Sequence, residues 1–363
     1  MKTVCGLLVL VLAGALAAAE VVEPFNGKNL DGWKAKGGGG TNAWCVGAAK
    51  PDPAAPAKFV VDPNGNELIN NSPGHGKSLD FYCAALHGDA IITLEVMVPK
   101  GSNSGIYVMG EYEVQVLDSF GRDAKPGNGD MGAIYSAQPP YRPAYRAPGE
   151  WNTYEIWWQA PRFDDKGAKT ANARFVKVVL NGRIVHSNVE MRGPTPGGVD
   201  GKEKARGPLM FQGNHGPVAY RNIKIAPLPP VVTWDSYGGY FVSNKFEPDA
   251  PRSFAIARDQ AAFEKLFGVA MVMGDRSHRL APDAFAKQVV LTSIQRGKAF
   301  VEYKVGSTSV EDGKLVLDYR ADGQPNATAE YSCPLIVSVP RGEWGAVRFV
   351  ENGKLVKELA ARQ

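Results

Sequence analysis

The chain has 363 residues, 44% of them hydrophobic, and a formal net charge of +4. That length leaves room for two domains with real cores, and the small charge, with no Lys/Arg block between aromatics, excludes a nucleic-acid partner. Four cysteines without a CxxC or a Cys/His cluster exclude a zinc-stapled framework. At the N-terminus, Lys2, the apolar run of residues 4–12 and the small-residue tract of residues 13–19 follow the order of a secretory signal peptide. The run is too short to span a bilayer. Residues 1–19 therefore predict export, periplasmic or secreted, with cleavage near Ala19 or Glu20 and no membrane span afterwards. Among the remaining cysteines, Cys45 and Cys83 are the only candidate intradomain pair, and Cys333 is left odd.

From residue 20 onward the sequence reads as short strands. Residues 90–98, 105–109, 112–117, 151–158, 175–180 and 220–225 are β-rich, punctuated by Gly, Pro and Asn. Asn181-Gly182 between two apolar runs signals a hairpin. Many strands with few helical periods predict a β-sandwich or barrel, sized for a jelly roll. The boundary falls at Ala226-Pro227-Leu228-Pro229-Pro230, where no regular element can continue. This divides the chain into a domain over 20–228, a linker over 229–240 and a smaller α+β domain over 241–363. In the latter, Asp259 caps a candidate helix over 260–267. Strand candidates follow at 288–293, 299–305, 314–319, 335–339 and 346–351, with a second hairpin signal at Asn352-Gly353.

Alternation along residues 112–118 puts Glu113 and Gln115 on one face and Val114 and Val116 on the other. Two polar residues backed by apolar ones suit a ligand-facing surface, and Tyr107 shares that face from a neighbouring strand. His215 lies in the Gly-flanked loop 213–216, where an imidazole can act as base or acid. His75, His87, His186 and His278 have no comparable setting. Gln212 and Arg221 bracket His215 and could hydrogen-bond a polar ligand, although Arg221 could instead pair with Asp118. Tyr135 could present its hydroxyl to substrate, whereas Trp33, Trp44 and Trp151 read as core. The oxygen-rich loop 118–130 could hold a divalent cation such as Ca²⁺, although its spacing is not that of an EF-hand. Residues 141–146 form a Pro/aromatic loop, a candidate substrate lid.

Six segments in order carry a family resemblance over residues 24–228: Pro24-Phe25-Asn26-Gly27 through Trp33, Asn103-Ser104-Gly105-Ile106-Tyr107 with Tyr112 to Asp118, Gly132-Ala133-Ile134-Tyr135, Pro148-Gly149-Glu150-Trp151 to Ile156, Leu180-Asn181-Gly182, and Gln212-Gly213-Asn214-His215-Gly216 leading to Arg221-Asn222-Ile223. The region resembles the 3-keto-disaccharide hydrolase domain family. Loop-like insertions at residues 50–63 and 162–172 depart from its pattern. The resemblance implies a concanavalin-like sandwich, a glycoside or oligosaccharide substrate, and cleavage of sugars already oxidised at C3. Such chemistry needs one base at C2, hydrogen-bond donors or a cation at the enolate oxygen, and an acid for the leaving group. An ordinary glycosidase would need a second carboxylate facing Glu113, with Glu95 and Asp118 as candidates. A lectin-like binding module on the same fold is the other alternative. The C-terminal segment, through Phe263, Asp283-Ala284-Phe285 and Tyr331-Ser332-Cys333-Pro334, resembles the small domain of the protease-complex-stabilising lipoprotein family, which would offer a protein partner a surface.

Overall fold

Alternating apolar residues, with turn residues between them, build twelve of the first 14 strands into two facing antiparallel sheets, and β9 and β10 pair apart as a two-stranded ribbon. The computed structural model describes residues 20–37, 41–122, 125–270 and 279–361; residues 1–19, on which the signal-peptide expectation falls, and His278 lie outside them. The strands are β1 (Trp33–Ala35), β2 (Trp44–Pro51), β3 (Phe59–Asn70), β4 (Phe81–His87), β5 (Ala90–Met97), β6 (Asn103–Val108) and β7 (Tyr112–Leu117). Then come β8 (Asn152–Gln159), β9 (Arg162–Phe163), β10 (Lys169–Ala171), β11 (Ala173–Leu180), β12 (Arg183–Met191), β13 (Gly207–Phe211) and β14 (Val218–Pro227). One sheet has five strands in the order β1-β4-β13-β6-β7, and the other has seven in the order β12-β11-β8-β5-β14-β3-β2. This is the jelly-roll sandwich that the strand pattern predicts.

The core between the sheets takes Ile106 and Val108 from β6, Val114 and Val116 from β7, and Leu209 and Phe211 from β13. Trp33 and Trp44 stack on Phe81 and Phe211 in the same core, as expected of them. The β11–β12 hairpin turns on Asn181 (φ 51°) and Gly182 (φ 73°), the left-handed pair that a two-residue hairpin requires. The two insertions are hairpin structure rather than loops: residues 50–63 run from the end of β2 into β3, and residues 162–172 hold β9 and β10. Cys45 packs with the cluster of Ile69, Met97 and Ala219, whereas Cys83 lies in the core between the sheets. Both are free thiols, as is Cys333.

After the proline joint, two four-stranded sheets enclose a second core of Leu291, Leu317, Tyr319, Val337 and Phe349. The helical part of this α+β region is α1 (Gln260–Leu266) with a 3₁₀ turn at Ala284–Ala286. The Asp259 side chain accepts from Ala262 N at 2.7 Å, the expected N-cap. The second unit docks on the outer side of β11 and β12: Lys177 Nζ donates to Asp318 Oδ2 at 2.6 Å, and Ser187 Oγ donates to Val305 O at 2.6 Å. No helix among the described residues is long and apolar enough to cross a membrane.

Candidate active site

Because Ile106, Val114, Val116 and Phe211 point into the core, their neighbours face outward from the five-stranded sheet. Tyr107 on β6, Glu113 and Gln115 on β7 and Gln212 after β13 thus share one surface. The segment of residues 195–198 closes over it: Glu113 N donates to Thr195 Oγ1 at 2.8 Å, and Thr195 N donates to Glu111 O at 3.0 Å. The result is a cleft of about 210 Å³ lined by Asn103, Tyr107, Glu113, Gln115, Tyr135, Pro196, Gly197, Gln212 and His215. It is smaller than the roughly 300–1,000 Å³ of drug-sized sites.

Glu113 is 2% exposed. Burial, with the Asp80 carboxylate adding to it, pushes its carboxyl up to about 8 against the pull of Tyr107. Tyr107 Oη lies 2.8 Å from Glu113 Oε2 and 3.0 Å from the Pro196 carbonyl, and Gln212 Nε2 donates to it at 3.4 Å. When Glu113 is ionised, Tyr107 donates to it. When Glu113 is protonated, it can donate to Tyr107 while Tyr107 turns its proton to Pro196. Both states are satisfied. Two close approaches depend on glycine: a Cβ on Gly105 would meet Glu113 Oε1 at 2.1 Å, and one on Gly197 would meet Tyr107 Oη at 2.6 Å.

His215 is half-buried, with Nδ1 hydrogen-bonded to Asn214 Oδ1. Burial and the neighbouring His75 hold its imidazole below the ordinary value, with Asp80 pulling the other way. The His75 ring meets that of His215 edge-on, with centroids 4.5 Å apart, so His75 does have a place beside the site. Gln115 Nε2 donates to Gly129 O at 3.1 Å, while Gln115 Oε1 and Asn103 Oδ1 have no protein partner.

Of the seven site residues expected from sequence, six converge: Tyr107, Glu113, Gln115, Tyr135, Gln212 and His215. Arg221 does not. It lies on the outer face of the seven-stranded sheet, over the Trp151 ring, and donates to Glu95 Oε2 at 2.7 Å rather than to Asp118. Its side chain falls on the other side of the molecule because β14 belongs to the other sheet. Asp118 accepts from Gly101 N and Phe120 N, so neither Glu95 nor Asp118 faces Glu113. In the 118–130 loop, Asp130 is taken up by Ser119, Arg122 and Gly127, and Asp123 is outside the described residues. Among the described residues, no three His, Cys, Asp or Glu side chains group as metal ligands. The 141–146 loop is held against the second unit by Arg142–Asp322 at 2.8 Å and by Lys304 over Tyr141, away from the cleft. Asn103, Asp80 and the 196–197 segment were not anticipated. Asn103 was within reach, since it alternates with Tyr107 along β6.

A wider groove of about 400 Å³ crosses the outer face of the seven-stranded sheet, but its acids are engaged: Glu95 by Arg221, and Glu155 by Trp157 and Lys177. The smaller cleft, whose Glu113 has no basic partner among the described residues, is therefore the candidate site.

A sandwich with a small polar cleft is an architecture on which carbohydrate-active proteins are built, and the family match decides the class. Residues 20–226 match the 3-keto-alpha-glucoside-1,2-lyase-like domain, and the chain belongs to that family. Among solved structures, one candidate glycosyl hydrolase from Parabacteroides distasonis is 28% identical, covering 57% of this chain and 84% of its own, at TM-score 0.45. A second from the same organism is 19% identical, covering 57% and 94%, at TM-score 0.39. No curated protein matches the chain.

Proposed function

We propose that the protein cleaves 3-keto-glycosides by removing the proton at C2 and expelling the substituent at C1, water then adding to the enone to give net hydrolysis. The observation that carries this reading is the meeting, in one cleft, of a carboxyl that keeps its proton near neutrality and an imidazole that does not. Environments that set two groups' proton affinities apart assign acid and base.

A ketone at C3 acidifies the C2 hydrogen, so one base starts the reaction. His215 is that base: Asn214 Oδ1 takes its Nδ1–H, which leaves the Nε2 lone pair free. The C2–H electrons move into an enolate. As the ketone re-forms, C1 and C2 become double-bonded, the C1–O bond breaks, and the Glu113 proton goes to the departing oxygen. Gln212 and Tyr135 donate to the enolate oxygen, while Gln115 and Asn103 accept from ring hydroxyls. With residues 1–19 read as a signal peptide, the reaction takes place in the periplasm or outside the cell.

The test is to incubate the mature protein with a 3-keto-glucoside and with its unoxidised parent and to follow aglycone release. Release from the keto compound alone is expected, falling at least about a hundredfold in Glu113→Gln and His215→Ala. No release from either sugar, with binding intact in all three proteins, would replace the enzyme with a lectin-like module. Release from the unoxidised parent would point to an ordinary glycosidase.

A further inference from the structure

One ion pair outside the cleft lining touches both of its walls. Lys36 follows β1, and its Nζ donates to Gly197 O and Gly198 O at 2.8 and 2.6 Å, the roof segment next to the Pro196 carbonyl that receives Tyr107. The same ammonium lies 3.6 Å from Asp80 Oδ2. Asp80 is buried just ahead of β4, and its other oxygen accepts from Gly213 N at 3.0 Å and Asn214 N at 3.4 Å, in the loop that carries His215. Lys36 N also donates to the Asp80 carbonyl at 2.8 Å. Exposed ion pairs add little to stability. Here one partner is buried, and each side-chain hydrogen bond runs to a wall of the cleft.

Building on the function proposed above, we propose that Lys36 and Asp80 are positioning residues whose ion pair sets the 196–198 roof against the 213–215 loop and so aligns Glu113 with His215. Neither lines the cleft. The charged and titratable groups around Glu113 are Tyr107 on β6, Tyr135 after β7, Tyr220 on β14, His215 in its loop, and Asp80 with its partner Lys36. Asp80 is the only carboxylate among these neighbours, and a like charge disfavours ionisation of Glu113. Asp80→Asn keeps the amide oxygen that caps Gly213 and removes the charge. Lys36→Met keeps most of the stem and leaves the Asp80 charge uncompensated.

The two substitutions should therefore move Glu113 in opposite directions, which a merely structural role would not do. The experiment is a pH titration of ¹³C-labelled glutamate carboxyls in the mature protein without substrate, with kcat and KM on a 3-keto-glucoside measured in parallel. The Glu113 midpoint should fall by about one pH unit in Asp80→Asn and rise in Lys36→Met. In both variants kcat should drop at least about tenfold while KM changes little, because alignment rather than binding is lost, and Lys36→Arg should recover most of the rate. Midpoints that stay in place or move together would overturn the proposal, as would an unchanged kcat in both variants. If the midpoints separate as expected but wild type cleaves nothing, the ion pair acts on Glu113 as argued and the proposed reaction is what fails.

Discussion

A carboxyl that keeps its proton to about pH 8 makes stability fall as pH rises. In the unfolded chain Glu113 loses its proton near 4.5, whereas in the folded protein it does so near 8. Stability from this group is fully present below pH 4.5 and is lost as pH climbs through 8, a change of order 5 kcal/mol. Glu113→Gln should flatten that slope, so the variant is more stable than wild type at pH 9 and nearly equal at pH 5; urea unfolding at several pH values checks it. The same ionisation should give kcat/KM an alkaline limb near pH 8 and an acid limb below the usual imidazole value, where His215 takes up a proton. A wild-type rate still rising beyond pH 9 would contradict Glu113 as the acid. These residues were legible because Val114 and Val116 mark the core side of β7, so Glu113 and Gln115 must face away. Arg221 was misplaced because its strand shows where its neighbours alternate but not which sheet receives it. Asp80 was invisible: its role depends on backbone N–H groups 133 and 134 residues away.

At the scale of elements, β6 must pass beneath the Glu113 carboxyl with no side chain in between. Gly105→Ala should leave the strand intact, since the obstacle is the flexible end of Glu113 rather than backbone. The added methyl displaces Oε1, and turnover should fall at least about tenfold while the melting temperature changes little. Steady-state kinetics together with thermal unfolding separates those effects. The β11–β12 hairpin was readable because Asn-Gly is a local cause of a local turn. The strand β3 was not, because Asp62-Pro63-Asn64-Gly65 carries the composition of a loop. In the fold, Asp62 Oδ1 accepts from Asn64 N at 2.9 Å, and the strand absorbs the irregularity as a shift of register against β2. Strand β13, five residues long and opened by Gly207-Pro208, gave too few alternating positions to stand out.

For the whole molecule, the joint between the two units rests on a buried cation. Lys177 is held by Asp318 at 2.6 Å and Glu155 at 3.5 Å and lies over the Trp157 ring. Asp318→Asn removes the nearer charge and should cost up to about 3 kcal/mol, Glu155 covering part of the loss. Cleft chemistry should be unchanged, which calorimetry and the rate on a 3-keto-glucoside would establish side by side. The two-core organisation was legible in the proline run and the change of texture after it. The docking was not, since Lys177, Ser187 and Asp318 look like ordinary strand residues until their partners are known. The second unit attaches behind the seven-stranded sheet, whereas the cleft opens from the five-stranded one. An affinity tag or a solid support fixed to the C-terminal strands therefore stands on the opposite side from the incoming sugar, and an immobilised preparation should turn over its substrate as fast as the free protein does.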